Sequence, residues 1–169
     1  RPTAMTNSSN FSAAVQRLNK LLSKVMSGMR PPENLTVSEW AEKKRRLSPE
    51  SSAEVGPYRV SRTPYLREIM DAFTDPKVRR LILVSSSQVG KSELENNIIG
   101  YIIDQDPSSI LFIHPTTIDA KEYSKLRIAP MLRDTPVLRR KVSPSKSRDS
   151  GNTILQKTYP GGILTMCGS

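Results

Sequence analysis

One segment near the middle of the chain constrains the fold more than any other. The continuous apolar run Leu81–Val84 leads into Ser-Ser-Ser-Gln-Val-Gly-Lys-Ser, residues Ser85–Ser92, and a helical pattern follows as far as Ile103. A short uninterrupted apolar run is typical of a parallel strand that is covered on both faces. A strand, a loop with Gly-Lys-Ser and a helix, in this order, form the context of a phosphate-binding loop. The segment therefore predicts a nucleotide site on an α/β sheet.

Each part of this loop has a predicted role. Successive backbone N–H groups would point inward and surround phosphate oxygens, assisted by the positive end of the helix. Gly90 supplies the backbone freedom that such a turn needs. The Lys91 ammonium would bind the β- and γ-phosphates of a nucleotide, and the Ser92 hydroxyl would bind Mg²⁺. The predicted cofactor-binding residues of the loop are Ser85, Ser87, Gln88, Val89, Gly90, Lys91 and Ser92.

The loop departs from the usual pattern, G-x-x-x-x-G-K-[ST], at its first position, where Ser85 replaces glycine. Serine fits there if its φ is negative. The structural alternative is a strand-to-helix turn in which Ser85–Ser87 only cap the helix. Phosphoryl transfer also requires a metal-binding acid on another strand. Asp104 superficially fits, but it follows the helix that the loop opens and would point away from the phosphates.

From Thr63 onward, the pattern alternates between helix and strand. Ile110–Ile113 is interpreted as a second buried strand, and Ile118–Leu132 as a helix that Pro130 bends or ends. The turn Tyr159–Gly162 separates two short runs and predicts a hairpin. The order strand, helix, strand, helix predicts an α/β fold, namely an incomplete, P-loop NTPase-like, doubly wound and mainly parallel sheet preceded by an N-terminal helix.

Three regions are expected along the chain. Residues 1–33 would form an N-terminal amphipathic helix, residues 34–62 a linker with a short helix, and residues 63–169 the α/β domain. In the middle region, Thr36 and Glu39 have the spacing of a capping box. The N-terminal helix carries an apolar seam with alternating steps of four and three, which packs either on its own domain or on a partner helix. The seam consists of Phe11, Val15, Leu18, Leu22, Val25 and Met29.

The charge of the chain favours a polyanionic partner. There are 26 Lys and Arg residues against 16 Asp and Glu, a net charge of +10. Neutralising phosphates releases condensed counterions, so nucleic acid fits this balance, although an ordinary basic surface is the alternative. One basic tract in a Pro- and Ser-rich stretch is either a mobile solvated loop or a contact with the DNA backbone. Its members are Arg139, Arg140, Lys141, Lys146 and Arg148.

Other residue types exclude several classes of site. The single cysteine, Cys167, excludes an internal disulfide and a multi-cysteine metal site. His114 has no companions at metal-ligand spacing, so it is interpreted as a helix-cap or core residue, with contact to a ligand or DNA as the minority reading. No apolar run reaches the roughly 20 residues of a membrane helix, and no membrane partner is expected.

Several short motifs follow one another along the chain, namely Ser38–Glu42, Leu47–Glu50, Arg62–Tyr65, Ser87–Ser92, Ile113–Thr116 and Gly161–Leu164. Each motif alone is modestly specific, and the set as a whole is persuasive. Their order and spacing resemble the large terminase subunit of tailed phages and prophages, in particular the phage lambda type. The resemblance extends from Leu35 to Ser169.

The resemblance implies the nucleotide-binding N-terminal part of a viral DNA-packaging motor, with ATP and Mg²⁺ as cofactors. The implied partners are double-stranded DNA, the small terminase subunit, and the portal and procapsid, in the cytoplasm of the bacterial host. The N-terminal seam would be the docking face for the small subunit. Tyr65 would stack on adenine, or else pack into the core as a helix-start aromatic.

The resemblance also implies that the acidic metal-binding motif, the catalytic glutamate and a nuclease domain follow residue 169. We therefore expect weak nucleotide binding and little hydrolysis, and the catalytic residues stay unknown. One alternative is a helicase-like nucleic-acid translocase, which would share the loop and the basic charge. Another is a non-catalytic module that binds the small subunit and DNA. A small-molecule kinase is less favoured, because there is no recognisable acceptor-binding or lid region.

Overall fold

The computed structural model of the chain describes residues 15–22, 33–142 and 152–169. The chain divides into two compact units, Arg1–Glu33 and Asn34–Ser169. No helix within the described ranges is both long enough and apolar enough to cross a bilayer.

The first unit contributes one described helix, α1, at residues 15–22. The seam residues Val15, Leu18 and Leu22 lie on this helix, and their side chains are exposed. The rest of the predicted seam lies outside the described residues, namely Phe11, Val25 and Met29.

The second unit is a mixed α/β structure. Its α-helices are α2 (Val37–Lys44), α3 (Tyr65–Ala72), α4 (Lys91–Asp104), α5 (Thr117–Tyr123), α6 (Ala129–Asp134) and α7 (Pro136–Lys141). Its strands are β1 (Arg46–Leu47), β2 (Gly56–Pro57), β3 (Ile110–His114), β4 (Gln156–Tyr159) and β5 (Gly162–Gly168). A 3₁₀ turn occupies Val60–Arg62, and a π-helix, Ser124–Ile128, joins α5 to α6.

Helix α2 begins with the predicted capping box. The Glu39 N–H donates to the Thr36 hydroxyl, and the Thr36 N–H donates to the Glu39 carboxylate. The helix buries Trp40 completely against α4, where Gly100 lies beneath the indole ring. A Cβ atom at position 100 would overlap the six-membered part of that ring. This close approach joins the N-terminal segment of the unit to helix α4, which follows the loop Ser85–Gly90.

The segment 34–62 contributes directly to the hydrophobic core. Besides Trp40, the side chains of Tyr58 and Val60 are buried, and β1 pairs with β2 in an antiparallel ladder. The region 34–62, expected from sequence to be a linker with a short helix, therefore packs within the same unit as residues 63–169.

The main sheet has the strand order β3-β5-β4. Strands β3 and β5 are parallel, with Phe112 opposite Met166, whereas β4 and β5 form the predicted antiparallel hairpin around the turn before Gly162. Leu111 on β3 is exposed, so this strand is covered on one face rather than on both as expected. The described sheet is therefore mixed and small, and the expected doubly wound, mainly parallel arrangement is not present in the described residues.

The apolar run Leu81–Val84 is not a strand, which corrects the sequence-based expectation. The Ile82 side chain is 76% exposed and that of Val84 is 91% exposed. A strand exists through its ladder of hydrogen bonds to a neighbour, and no described strand lies beside this run. β-propensity alone does not replace that neighbour.

The region Ile118–Leu132, predicted as a helix that Pro130 bends or ends, lies within α5, the π-helix and α6. Proline has no N–H, and its ring clashes with the carbonyl four residues earlier in a regular α-helix. The wider π turn ends at Ile128, directly before Ala129 and Pro130, and Pro130 lies in the first turn of α6. The π-helix thus precedes Pro130 directly, and the helical segment continues through Pro130 into α6.

Candidate nucleotide-binding site

The loop before α4 has two residues with left-handed backbone conformations. Gln88 has φ 60° and Gly90 has φ 83°. A non-glycine residue in this region is uncommon and is often found at ligand sites. Left-handed residues within a turn direct neighbouring N–H groups toward one centre, which is how backbone concavities for anions arise. The conformation of this loop therefore suits phosphate oxygens.

Helix α4 starts directly after Gly90, and no side chain caps this start. The N-cap position is Gly90 rather than one of the residues Ser85–Ser87. The N–H groups of Lys91 and Ser92 stand in the first turn, where a helix has no internal acceptors for them. An uncapped first turn with its positive dipole end is a ready site for an anion.

The Lys91 side chain lies back over the loop. Its ammonium donates to the carbonyl oxygens of Ser86, at 3.1 Å, and of Ser85, at 3.4 Å. Both acceptors are neutral, so neither of them compensates the positive charge of Lys91. The three loop residues Ser85, Ser86 and Ser87 are exposed. The cation and the loop are therefore accessible from solvent.

An ion pair with a buried arginine joins the first turn of α4 to the residue that follows α2. The Arg45 guanidinium is 1% exposed and donates to the Glu93 carboxylate at 2.9 Å and to the side-chain oxygen of Asn97 at 3.2 Å. Arg127 lies 4.0 Å from the other Glu93 oxygen. Burial lowers the pKa of Arg45, and Glu93 opposes this shift. The negative charge of Glu93, next to Ser92, is thus compensated by two cations.

Sequence reasoning missed this ion pair. Arg45 and Glu93 are 48 positions apart, and neither belongs to a recognisable local pattern. The one available signal is that Arg45 ends the α2 segment beside apolar residues that are buried. That signal does not identify a partner.

Tyr65 contacts the loop from the start of α3. Its side chain is 56% exposed, and its hydroxyl donates to the Val89 carbonyl at 3.2 Å. The reading as a core aromatic is therefore wrong. The hydroxyl holds the loop one residue before Gly90.

A cavity of about 250 Å³ opens beside the loop. It reaches Gly90 on one side and the hairpin of β1 and β2 on the other. The hydroxyl of Tyr58 is 3.2 Å from that of Thr63, which fixes one part of the wall. The wall includes Leu47, Pro57, Tyr58, Arg62, Thr63 and Gly90.

His114 lies at the carboxyl end of β3 in an aromatic cluster. Its ring centroid is 4.6 Å from that of Phe112 and 4.8 Å from that of Tyr123. The Tyr123 hydroxyl in turn lies 3.2 Å from the Ser92 carbonyl. The His114 Nε2 atom is buried and has no hydrogen-bond partner within the described part of the chain. His114 is therefore a packed residue separated from helix α4 by one ring.

Asp104 is a structural acid. It accepts from the Trp40 indole at 2.9 Å and pairs with Lys44 at 3.3 Å and Lys141 at 3.0 Å. The fourteen residues of α4 place Asp104 about 20 Å along the helix from the loop, so it points away from the site as expected. No group of three or more His, Cys, Asp or Glu residues is arranged to bind a metal in the described ranges.

The predicted basic tract divides into different environments. Arg139, Arg140 and Lys141 lie in helix α7 rather than in a loop. Arg139 and Arg140 are exposed, whereas Lys141 pairs with Asp104 and is partly covered. The remaining members, Lys146 and Arg148, lie outside the described residues.

Comparisons with known proteins agree on one family. The chain is 30% identical over 154 residues to "Terminase, large subunit" of Escherichia phage lambda. The aligned residues cover 89% of this chain and 24% of that protein. It is 26% identical over 136 residues to "Terminase, large subunit" of Enterobacteria phage P21, covering 80% of this chain and 21% of that protein. The chain thus spans less than a quarter of the length of these curated relatives.

Residues 52–169 match the family described as "Phage terminase large subunit gpA, ATPase domain". The match includes the loop, the cavity wall contributed by Pro57 to Thr63, and the whole main sheet. No solved structure matches the chain. The chain belongs to the phage terminase large subunit family, in its gpA-type ATPase domain.

Proposed function

We propose that the chain binds ATP with Mg²⁺ at Ser85–Ser92 and is the nucleotide-binding part of a motor that packages viral DNA. The observation that carries this proposal is the loop itself. Gln88 and Gly90 are left-handed, the helix start is uncapped, and the Lys91 ammonium lies over the loop. Together these features supply several donors and one cation for a single group of phosphates.

The phosphates would be held by this chain's own donors. The Lys91 ammonium would leave the two serine carbonyls for the β- and γ-phosphates, because a charged acceptor forms a stronger hydrogen bond than a neutral one. The N–H groups of the first turn of α4 would donate to the same oxygens, and the Ser92 hydroxyl would face Mg²⁺. The bound nucleotide supplies the phosphoryl group whose hydrolysis drives a motor of this kind.

The nucleoside would occupy the cavity beside Gly90. This cavity adjoins the loop, and Leu47, Pro57 and the Tyr58 ring give it apolar surface. Sites for small ligands combine such surface with a few polar groups. Tyr65 would act through its bond to the Val89 carbonyl, and stacking of its exposed ring on adenine is the second role to be tested.

The wider assembly is proposed from the family. Double-stranded DNA, the small terminase subunit, the portal and the procapsid would be the partners, in the cytoplasm of the bacterial host. The seam of α1 would dock the small subunit, since its described apolar residues are exposed. Arg139 and Arg140 would contact the DNA backbone. The catalytic acid would come from elsewhere in the full-length protein, and this chain alone would turn over ATP slowly.

Isothermal titration calorimetry tests the proposed site. The wild type is titrated with ATP in the presence of Mg²⁺, together with Lys91→Ala and the charge-matched control Lys77→Ala, whose side chain is exposed. Binding by the wild type and the control, with loss in Lys91→Ala, is the expected result. Absence of binding by a folded wild type, or equal binding by all three proteins, would falsify the proposal.

Hydrolysis tests whether the catalytic acid lies outside this chain, as proposed. A steady-state phosphate-release assay on the same three proteins should give little turnover. Brisk turnover that Lys91→Ala removes would mean that this chain holds its own catalytic acid, contrary to the proposal.

A further inference from the structure

The helical segment that passes Pro130 reaches the first turn of α4 at two residues. The Tyr123 hydroxyl, at the end of α5, lies 3.2 Å from the carbonyl oxygen of Ser92. Arg127, in the π-helix, lies 4.0 Å from the Glu93 carboxylate. The segment therefore contacts the residues that directly follow Lys91.

The surroundings of the Tyr123 hydroxyl decide which bond its proton makes. Three oxygens surround it, on Ser92 at 3.2 Å, Asn96 at 3.0 Å and Glu95 at 3.5 Å, but the hydroxyl has one proton. The side-chain nitrogen of Asn96 is buried without a partner among the described residues. With that amide turned by 180°, the nitrogen donates to the Tyr123 oxygen. The Tyr123 proton then has two acceptors, of which the Ser92 carbonyl at 3.2 Å is nearer than the Glu95 carboxylate at 3.5 Å.

The position of the Tyr123 ring is fixed by the sheet. Its centroid lies 5.2 Å from that of Phe112 and 4.8 Å from that of His114, and both of these residues belong to β3. Aromatic contacts of this kind add to the packing of each ring. A bond from this ring to Ser92 therefore fixes helix α4 relative to the carboxyl end of β3.

We propose that Tyr123 is a positioning residue of the nucleotide site, which holds the Ser92 backbone so that the Ser92 hydroxyl meets the Mg²⁺ of the bound nucleotide. The inference rests on the proposed function and deepens it. Mg²⁺ requires near-ideal octahedral geometry with short metal–oxygen distances. A small displacement of one ligand therefore weakens Mg²⁺ binding strongly. Loss of the Tyr123 hydroxyl should consequently lower ATP affinity in the presence of Mg²⁺ more than ATP affinity in its absence.

The chain offers a closely matched control. Tyr159 is a buried tyrosine whose hydroxyl donates to a backbone carbonyl, that of Ser108 at 2.6 Å, whereas Tyr123 is partly buried. Ser108 precedes β3, whereas His114 ends it, so this second bond lies at the opposite end of the strand. Tyr123→Phe and Tyr159→Phe each remove one such hydroxyl and keep the ring.

The experiment measures ATP affinity with Mg²⁺ and with EDTA for the wild type, Lys91→Ala and the two tyrosine variants. The ratio of the two affinities should fall roughly three- to tenfold in Tyr123→Phe, the range expected for one hydrogen bond. Tyr159→Phe should keep the wild-type ratio. Hydrogen exchange of residues 92–96 without nucleotide should accelerate only in Tyr123→Phe, which reports the same displacement independently of binding.

The outcomes separate this inference from the proposed function. If Tyr123→Phe keeps the wild-type ratio of ATP affinity with Mg²⁺ to that with EDTA, while Lys91→Ala still loses binding, the role of Tyr123 is overturned. The proposed nucleotide site is then unaffected. Equal losses of the ratio in both tyrosine variants also overturn it, since the effect would then follow general stability. Absence of magnesium-dependent binding in the wild type overturns both proposals.

Discussion

The Arg45 guanidinium donates to the Glu93 carboxylate at 2.9 Å from a side chain that is only 1% exposed. Arg45 directly follows α2, and Glu93 lies in the first turn of α4. Without Arg45, the Glu93 carboxylate keeps Arg127 at 4.0 Å as its remaining cation among the described residues, and breaking a pair with a buried member is strongly destabilising. Arg45 is therefore expected to contribute to stability and to the electrostatics of the loop together.

Replacing Arg45 with methionine should lower the free energy of unfolding by about 3 kcal/mol, the usual effect of breaking a buried pair. Urea unfolding measures this change. Arg67→Met is the control, since Arg67 pairs with Glu42 at 3.7 Å with both side chains about half exposed. Such a surface pair contributes about 0–1 kcal/mol. Equal decreases in the two variants would show that burial of Arg45 has no special weight.

Gly100→Ala should destabilise the protein although alanine favours helices. The gain in helix propensity is about 1 kcal/mol, but the new Cβ atom overlaps the buried ring of Trp40. Overpacking of this kind costs about 1–3 kcal/mol or more, so a net loss is expected by thermal or urea unfolding. In a Trp40→Phe background, the overlapping ring is gone, and the same substitution should cost at least about 1 kcal/mol less. Additive effects of the two substitutions would contradict this packing.

Asp104 should make stability depend on pH in acid. Burial tends to raise the pKa of the Asp104 carboxyl, but hydrogen bonds from Trp40, Lys141 and Gln105 outweigh it and hold the pKa at about 2. The folded pKa is below the unfolded value of about 3.9. The ionised Asp104 therefore stabilises the folded chain, by on the order of 2 kcal/mol. This contribution is complete above about pH 5 and is lost as the pH falls from there toward 2.

Unfolding free energies of the wild type and Asp104→Asn, measured between pH 6 and pH 2.5, check this expectation. The variant lacks the contribution of the ionised Asp104 at every pH, so it should already be less stable than the wild type at pH 6. Its free energy of unfolding should then fall less than that of the wild type between pH 6 and pH 2.5. The exposed Asp106→Asn serves as the charge-matched control. Parallel curves for wild type and Asp104→Asn would show that Asp104 is not the responsible group.

Tyr65→Phe distinguishes the two roles of Tyr65. The variant keeps the aromatic ring and removes the hydroxyl that donates to the Val89 carbonyl. If the hydroxyl holds the loop, ATP affinity should fall severalfold, as expected for one hydrogen bond. Calorimetry on Tyr65→Phe and Tyr65→Ala measures this. Wild-type affinity in the phenylalanine variant, with loss in the alanine variant, would favour stacking on the base instead.

Charge removal in α7 should separate a DNA-binding surface from a structural cation. Arg139 and Arg140 are exposed, so the double change to glutamine should reduce the slope of log affinity against log salt for duplex DNA by about 0.9 for each phosphate that the protein no longer neutralises. Lys141→Gln should leave that slope unchanged and lower stability, because Lys141 pairs with Asp104. An unchanged slope in the double variant would remove both arginines from the interface.

Local patterns predicted much of this unit, and long-range pairing explains where they failed. The capping box of Thr36 and the hairpin before Gly162 depend on neighbouring residues, and both expectations were confirmed. The mixed α/β character followed from alternating apolar patterns. The run Leu81–Val84 was wrong as a strand, because a strand needs a partner that the pattern of its own residues does not provide.

The candidate site shows the same division. The loop Ser85–Ser92 was selected as a candidate from Gly90 and its two successors, since their spacing is local, and its role stays a prediction. The Arg45–Glu93 pair and the hydrogen bond from Tyr123 were not recognisable from the sequence, because they join segments 48 and 31 positions apart. The π-helix before Pro130 was also missed, since an α-helical pattern does not distinguish a single wide turn from a bend.

The exposed side chains of Ile82 and Val84 also bear on how copies of this chain behave in concentrated solution. Leu111 on β3 is exposed as well, and β3 is an edge strand with a free row of backbone donors and acceptors in the described sheet. Such surfaces favour self-association. The net charge of +10 opposes it by keeping copies apart. Because added salt screens this repulsion, self-association of the chain should be weakest at low ionic strength.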